Sequence, residues 1–124
     1  MKIKRETKSY RQGVLNSDKH IRLGAKHKGA YILKENINYI EANECYTWFH
    51  LINGKRFLSC KPIGYYEDEL SGNGFLRIHR SYLINLSNLK LYERKYRLVH
   101  LKGEITLPVS YRKNNTFSKY LQSA

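Results

Sequence analysis

Acidic residues, cysteine and long apolar runs are all scarce in this chain, and each shortage excludes a class of protein. Only 10 of the 124 residues are Asp or Glu, against 23 Lys and Arg, so the net charge of +13 is far more than solubility needs. The two cysteines are too few for a disulfide framework and lack the partners of a zinc site. No apolar run approaches the roughly 20 residues that span a bilayer, and the basic N-terminus lacks the apolar segment of a signal peptide. We therefore expect a cytoplasmic protein with reduced thiols, in which Cys60 behaves as a small hydrophobic residue.

Residues that could carry catalysis or hold a metal form no recognisable constellation. The carboxylates Glu67, Asp68 and Glu69 are adjacent on one short helix, so they do not face a common pocket. They suit a solvated face near the first turn of that helix, where negative charge complements the helix dipole. The five histidines lack metal-ligand spacing, neither cysteine has an adjacent histidine, and no glycine-rich phosphate loop occurs. We expect no enzymatic activity, no metal and no cofactor.

Positive charge is segregated along the chain. Residues 1–30 carry a net charge of +7, residues 31–75 carry −2, and residues 76–124 carry +8. An evenly solvated surface would not divide in this way, so one side of the protein is expected to face a polyanion. A membrane surface is the rival partner, but no segment has the pattern of a basic amphipathic helix.

The pattern of apolar residues predicts one domain, residues 20–124, preceded by a flexible basic leader, residues 1–19. Asn53-Gly54 is the strongest hairpin signal, Ile63–Leu70 has the pattern of a short helix, and Ser110 can cap a final helix to about Leu121. The rest is predicted to form short strands, at Ile21–Lys26, Ala30–Leu33, Ile37–Ala42, Tyr46–Ile52, Lys55–Cys60, Leu76–Ile78, Leu89–Glu93, Tyr96–Leu101 and Glu104–Leu107. This spacing indicates a mainly β class with small helical additions, and leaves sandwich, barrel and side-by-side small sheets open.

The segment Phe75–Asn85 contains unusually many side chains with hydrogen-bonding groups for a strand region. Arg77, His79 and Arg80 alternate with apolar residues at close to the two-residue period of a strand. Arginine forks and imidazole edges suit phosphate oxygens and base edges in a major groove. The alternative is a solvated face with an internal salt bridge, and this segment alone does not decide between the two.

This segment resembles the F-x-R-x-H-R-S-x-x-x-N core of the LytTR family of bacterial DNA-binding domains. The resemblance continues in order along residues 20 to 121. Ile37–Ala42 is similar to the family's I-x-Y-I-E-A strand, and Tyr46-Thr47 with Asn53-Gly54-Lys55 is similar to its next strand and turn. Leu107-Pro108-Val109-Ser110 is similar to its L-P-V-S, although Tyr111 stands where a basic residue is usual.

The resemblance implies several small antiparallel sheets lying side by side, with a short intervening helix and a C-terminal helix. It also implies that loops, rather than a recognition helix, enter successive major grooves of a promoter. For Arg77 two roles stay open, a contact with DNA and a structural role in which it holds a loop to the sheet. Carried onto this sequence, the remaining DNA-approaching residues are Asn43, Glu44 and Tyr46 in the first loop, His79, Arg80 and Ser81 in the second, and Tyr111, Arg112 and Lys113 in the third.

The favoured interpretation is therefore a sequence-specific double-stranded DNA-binding transcriptional regulator, acting at repeated half-sites, with homodimerisation on DNA left open. The alternatives are an RNA- or single-strand-binding β module and a basic protein-interaction module. Eleven tyrosines raise the single-strand alternative, because bases stack on aromatic rings. Their alternating positions instead favour core or interstrand packing, with Tyr46 an exception beside a loop. The receiver domain that usually precedes this family's domain is absent, so we expect either a stand-alone regulator, weakly favoured by Met1 and the leader, or a fragment.

Overall fold

The computed structural model describes residues 18–24 and 29–123. Most of the leader, residues 1–17, and the end of the predicted strand Ile21–Lys26 lie outside this range. Ten short strands and two α-helices occur in the described residues. In chain order they are β1 (His20–Leu23), β2 (Ala30–Leu33), β3 (Ile37–Asn43), β4 (Tyr46–Leu51), β5 (Arg56–Ser59), α1 (Ile63–Glu69), β6 (Phe75–His79), β7 (Tyr82–Asn85), β8 (Leu89–Glu93), β9 (Leu98–Leu101), β10 (Ile105–Pro108) and α2 (Tyr111–Ser123).

The strands form three antiparallel sheets, which confirms the expected fold class. The largest has five strands in the order β5-β4-β3-β7-β6, the second has the order β10-β9-β8, and β1 pairs with β2. Gly54 adopts φ +90° in the turn between β4 and β5. Glycine tolerates this conformation without a steric cost, which is why Asn53-Gly54 correctly predicts the hairpin.

Both faces of the five-stranded sheet are buried. Side chains of successive strand residues point to opposite faces, so Ile40 and Tyr39 belong to two different cores. Ile40 packs with Phe49 and with residues of α1 and the two-stranded sheet. Tyr39 packs with residues of the three-stranded sheet and with Phe117 of α2. The large sheet therefore forms the central layer and fixes the position of everything attached to its ends.

Strand β7 corrects the sequence analysis, which assigned no strand between Ile78 and Leu89. It lies between β3 and β6 in the large sheet and buries Leu83, Ile84 and Asn85. The buried side-chain amide of Asn85 donates to the carbonyl of Ile37. A strand of four residues following a two-residue turn has little local signal, because its burial comes from strands elsewhere in the chain.

Two smaller expectations are also wrong, and a third holds only in part. Cys60 is exposed, like Cys45, so it does not behave as a core residue. No acidic residue lies in the first turn of α1, because the helix begins at Ile63 and its carboxylates fall in the second half. Core or interstrand packing accounts for only part of the tyrosines in the part of the chain that the structure describes. Tyr31 and Tyr46 are exposed on strands, and exposed rings outside the strands occur at Tyr65, Tyr96 and Tyr111.

Candidate nucleic-acid interface

The three segments singled out from the sequence meet at one end of the sheets. The loop between β3 and β4 lies beside the β6–β7 turn, because the amide of Ala42 donates to the carbonyl of Ser81 over 2.8 Å. The start of α2 lies beside the end of β6, because the amide of Ser110 donates to the carbonyl of Ile78 over 2.9 Å. Backbone bonds of this kind set the relative positions of these connections with little freedom. We call this end of the domain the loop end.

Arg77 holds the β6–β7 turn in place. Its Nε donates to the carbonyl of His79 over 2.8 Å, and its Nη2 donates to the carbonyl of Arg80 over 2.5 Å. Its Nη1 donates to Oε1 of Glu67 over 2.6 Å, and the Arg77 side chain is only 16% exposed. A planar guanidinium can satisfy three acceptors in this way, whereas an ammonium cannot. This arrangement favours the structural role for Arg77 that the sequence left open.

His79 is also used to shape the turn. Its Nδ1 accepts a hydrogen bond from the amide of Ser81 over 3.0 Å, and its ring packs against Tyr82 at 5.5 Å between centroids. Burial lowers the pKa of His79 below its ordinary value of 6.5, and the charges of Arg80 and Arg77 lower it further. The neutral ring that results can accept at Nδ1 and carry its proton at Nε2. Arg80, by contrast, projects from the turn as an exposed side chain.

Ser110 caps α2, as the sequence predicted. Its Oγ accepts from the amide of Lys113 over 3.1 Å, and its carbonyl accepts from the amide of Asn114 over 3.0 Å. The cap places the first residues of α2 at the loop end, where Tyr111 is 80% exposed and Arg112 is also exposed. The positive end of the helix dipole therefore lies in the same region as these side chains.

An open groove of about 560 Å³ separates the β6–β7 turn from the start of α2. Four basic side chains line it, from Arg77, Arg80, Arg112 and Lys113, against one carboxylate, Glu67. His79 and Ser110 complete the lining. Since Glu67 is already paired with Arg77, the excess charge of the groove is positive. We call it the basic groove, and it suits an anion such as a phosphate backbone.

The first loop stands next to the basic groove rather than in it. Asn43, Glu44 and Tyr46 are exposed, and Glu44 has φ +58°, an uncommon value for a residue other than glycine. None of the described residues that line the groove belongs to this loop. The structure thus brings the second and third predicted segments into one groove and places the first segment alongside.

Sequence reasoning missed Glu67 as a partner of the site. It lies ten residues before Arg77 on α1, and the sequence indicated only a solvated carboxylate. The signal that was available is Arg77 itself, an arginine between the apolar residues Leu76 and Ile78, because a guanidinium that becomes buried needs an acceptor.

Among residues 18–24 and 29–123, no three His, Cys, Asp or Glu side chains are grouped so as to hold a metal ion. Within the same ranges, no helix has the length and apolar character needed to cross a membrane.

Comparison with known proteins gives one consistent result. A family model of the LytTr DNA-binding domain matches residues 28–122. Among solved structures, the chain is similar to the LytTr DNA-binding domain of a protein from Bacillus cereus described as a methyl-accepting/DNA response regulator, with a TM-score of 0.71 and 21% sequence identity. This similarity covers 83% of the present chain and 96% of that one. No curated protein matches the chain. Since the family model spans most of the sequence, the chain belongs to the LytTr DNA-binding domain family.

Proposed function

We propose that this DNA-binding protein is a sequence-specific, double-stranded DNA-binding transcriptional regulator that reads major grooves with the loop end. The basic groove is the observation that carries the proposal. It places the exposed Arg80 opposite Arg112 and Lys113, and its only carboxylate is already neutralised by Arg77. A positively charged concavity with arginine on both walls can hold a phosphate backbone and still present guanidinium forks to base edges.

Different parts of the loop end suit different contacts. Arg80 is exposed while its own carbonyl is held by Arg77, so its side chain extends from a fixed backbone. Such a fork is suited to the O6 and N7 acceptors of guanine. Lys113 and the hydroxyl of Ser81 suit phosphate oxygens. In the adjacent first loop, Asn43 can offer its amide to adenine, and Tyr46 can contact a thymine methyl group.

Repeated half-sites are part of the proposal. Each good bidentate base contact contributes about 1–3 kcal/mol of discrimination, and a single loop end presents only a few such side chains. Two copies on neighbouring half-sites would multiply this limited specificity, either as a homodimer on DNA or as independent neighbours. Since the target would be a promoter, we also propose a cytoplasmic location.

Two of the exposed tyrosines offer less surface to single-stranded nucleic acid than their exposure indicates. Tyr65 lies beneath the ammonium of Lys61 at 4.1 Å, and Tyr111 lies 5.6 Å from the guanidinium of Arg97. A cation already covers one face of each of these two rings, which leaves less room for a stacked base.

Selection of bound sites from random duplex DNA tests the proposal. We expect one enriched motif, and tighter binding to its duplex than to either separated strand, an RNA copy or an unrelated acidic polymer. Affinity for the selected duplex should fall steeply with salt, with a log–log slope of about −4 to −5 for about five phosphate contacts. No enrichment would overturn sequence specificity. A flat salt response would overturn the role of the basic groove.

A further inference from the structure

We propose that the turn between β8 and β9, residues Arg94–Arg97, is a fourth DNA-contacting element. It would bind phosphates that flank the site held by the loop end. This inference rests on the proposed function and extends the interface beyond the three loops of the loop end. We call this segment the basic turn.

The basic turn is fastened to the start of α2. The amide of Val109 donates to the carbonyl of Arg97 over 2.8 Å, and the Arg97 guanidinium lies 5.6 Å from the centre of the Tyr111 ring. Tyr111 and Arg112 differ by about 100° around the helix. Arg112 lines the basic groove, whereas Tyr111 contacts the basic turn. The basic turn therefore belongs to the loop end but lies on the other flank of α2.

The charge of the basic turn has no acid within the turn to balance it. Its four residues are all exposed, and three of them are basic: Arg94, Lys95 and Arg97. The preceding carboxylate, Glu93, is bonded to Nε2 of His100 over 2.5 Å. Phosphate oxygens are the natural ligands of such a group of exposed cations.

The backbone of the basic turn shows why its side chains are available. The amides of Tyr96 and Arg97 donate to the carbonyls of Glu93 and Arg94, so the main chain holds its own shape. Arg97 nevertheless adopts φ +52°, where glycine would be less strained. An arginine at this strained position is consistent with a role of its side chain in binding phosphate. Since Lys95 also lies near the exposed ring of Tyr96, at 5.5 Å, the turn presents a cluster rather than one isolated charge.

Phosphate rather than base contact follows from placement. The turn lies outside the groove that holds Arg80 and Arg112, the side chains proposed to reach base edges. Its cations should therefore add affinity without changing which sequence is preferred. An acidic protein surface would be the other ligand for such a cluster, and binding to duplexes of two lengths separates it from DNA.

A double variant, Arg94→Ala with Lys95→Ala, tests the proposal, because it removes two charges and leaves the backbone bonds of the turn in place. The matched control is Lys55→Ala with Lys102→Ala. Lys55 follows β4 and Lys102 follows β9, so each lies at the end of its strand that is away from the loop end. The glycines of these two turns, Gly54 and Gly103, line one small cavity. Both double variants lower the net charge by two, so overall charge is equal between them.

Binding is measured across salt on two duplexes that carry the selected site. One ends at the boundaries of the site, and the other adds about ten base pairs, one helical turn, on each side. On the long duplex we expect the basic-turn variant to lose about two units of salt slope and on the order of tenfold in affinity at 0.1 M salt. The control should change the slope by less than about half a unit. On the short duplex the basic-turn variant should bind like the original protein, and its selected motif should be unchanged.

Three results would overturn the inference. Equal losses on the short and long duplexes, or equal losses in the control, would indicate a general charge effect. Unchanged binding to the long duplex would show that the turn does not meet DNA and would leave an acidic protein as its partner. In each case the original protein still prefers the selected duplex, so the proposed function stands. If the original protein shows no such preference, the proposed function itself fails.

Discussion

Arg77 offers the sharpest test of how the loop end is built. Replacing it with alanine removes three hydrogen bonds, two to carbonyls of the β6–β7 turn and one to Glu67. A hydrogen bond from a charged group contributes roughly 1.5–3 kcal/mol in buried settings, and an exposed ion pair contributes about 1 kcal/mol or less. Glu67 is 41% exposed, and the bond to Arg80 is exposed as well, so the lower values apply. We expect a total loss of about 3 kcal/mol in the free energy of unfolding.

For a domain of this size, each kcal/mol shifts the melting temperature by roughly 3–5 °C, so Arg77→Ala should melt about 9–15 °C lower. Arg77→Lys keeps the charge but cannot bond all three acceptors, and about 1–2 kcal/mol should be lost. In both variants the carbonyls of His79 and Arg80 lose bonds that Arg77 makes. Affinity for the selected duplex should therefore fall more than tenfold. Affinity for random duplex, which depends on net charge, should fall much less.

The assay combines urea unfolding with titration of selected and random duplexes, at a temperature where every variant is folded. Arg56→Lys is the matched control, because it makes the same exchange at an exposed arginine that packs on Trp48. It should leave selectivity unchanged. If Arg77→Lys keeps both stability and selectivity, the bracing role is refuted. If stability is unchanged while preference changes at one base, Arg77 contacts DNA directly.

The remaining predictions concern the exposed residues and the titration of the turn. Arg80→Ala should cost about 1–3 kcal/mol on the selected site and relax one base position, and Arg80→Lys should restore little. Lys113→Ala should weaken all duplexes about equally, so an equal loss for Arg80→Ala would demote that residue to a phosphate contact. Replacing the exposed Cys45 and Cys60 with serine should leave specific binding within a few fold. An oxidant-dependent change in affinity that disappears in this double variant would contradict it. Burial and two neighbouring arginines lower the pKa of His79, so the unfolded chain binds more protons there than the folded protein. Its contribution to stability is therefore present above the ordinary value of 6.5 and is lost as the pH falls toward the lowered pKa. Urea unfolding between about pH 7.5 and 5 should show a steeper loss for the original protein than for His79→Asn, and parallel curves would contradict this.

Local signals determined much of this protein from sequence alone. Asn53-Gly54 predicted its hairpin because few residues other than glycine tolerate a positive φ. Ser110 predicted the start of α2 because its hydroxyl can bond the amide of Lys113. The resemblance around Phe75–Asn85 identified the family that the comparison later confirmed. Each of these features depends on residues close together in the chain.

Tertiary structure decided what depends on residues far apart. Strand β7 exists because β3 and β6 pair with it on both sides, and its own four residues carry little signal. Arg77 occupies the same alternating position whether it braces a turn or reaches DNA, and only the packing of α1 brings Glu67 to its guanidinium. The basic turn meets the start of α2 for the same reason. Periodicity and turn chemistry are local properties, whereas pairing between distant segments is settled only when the whole core packs.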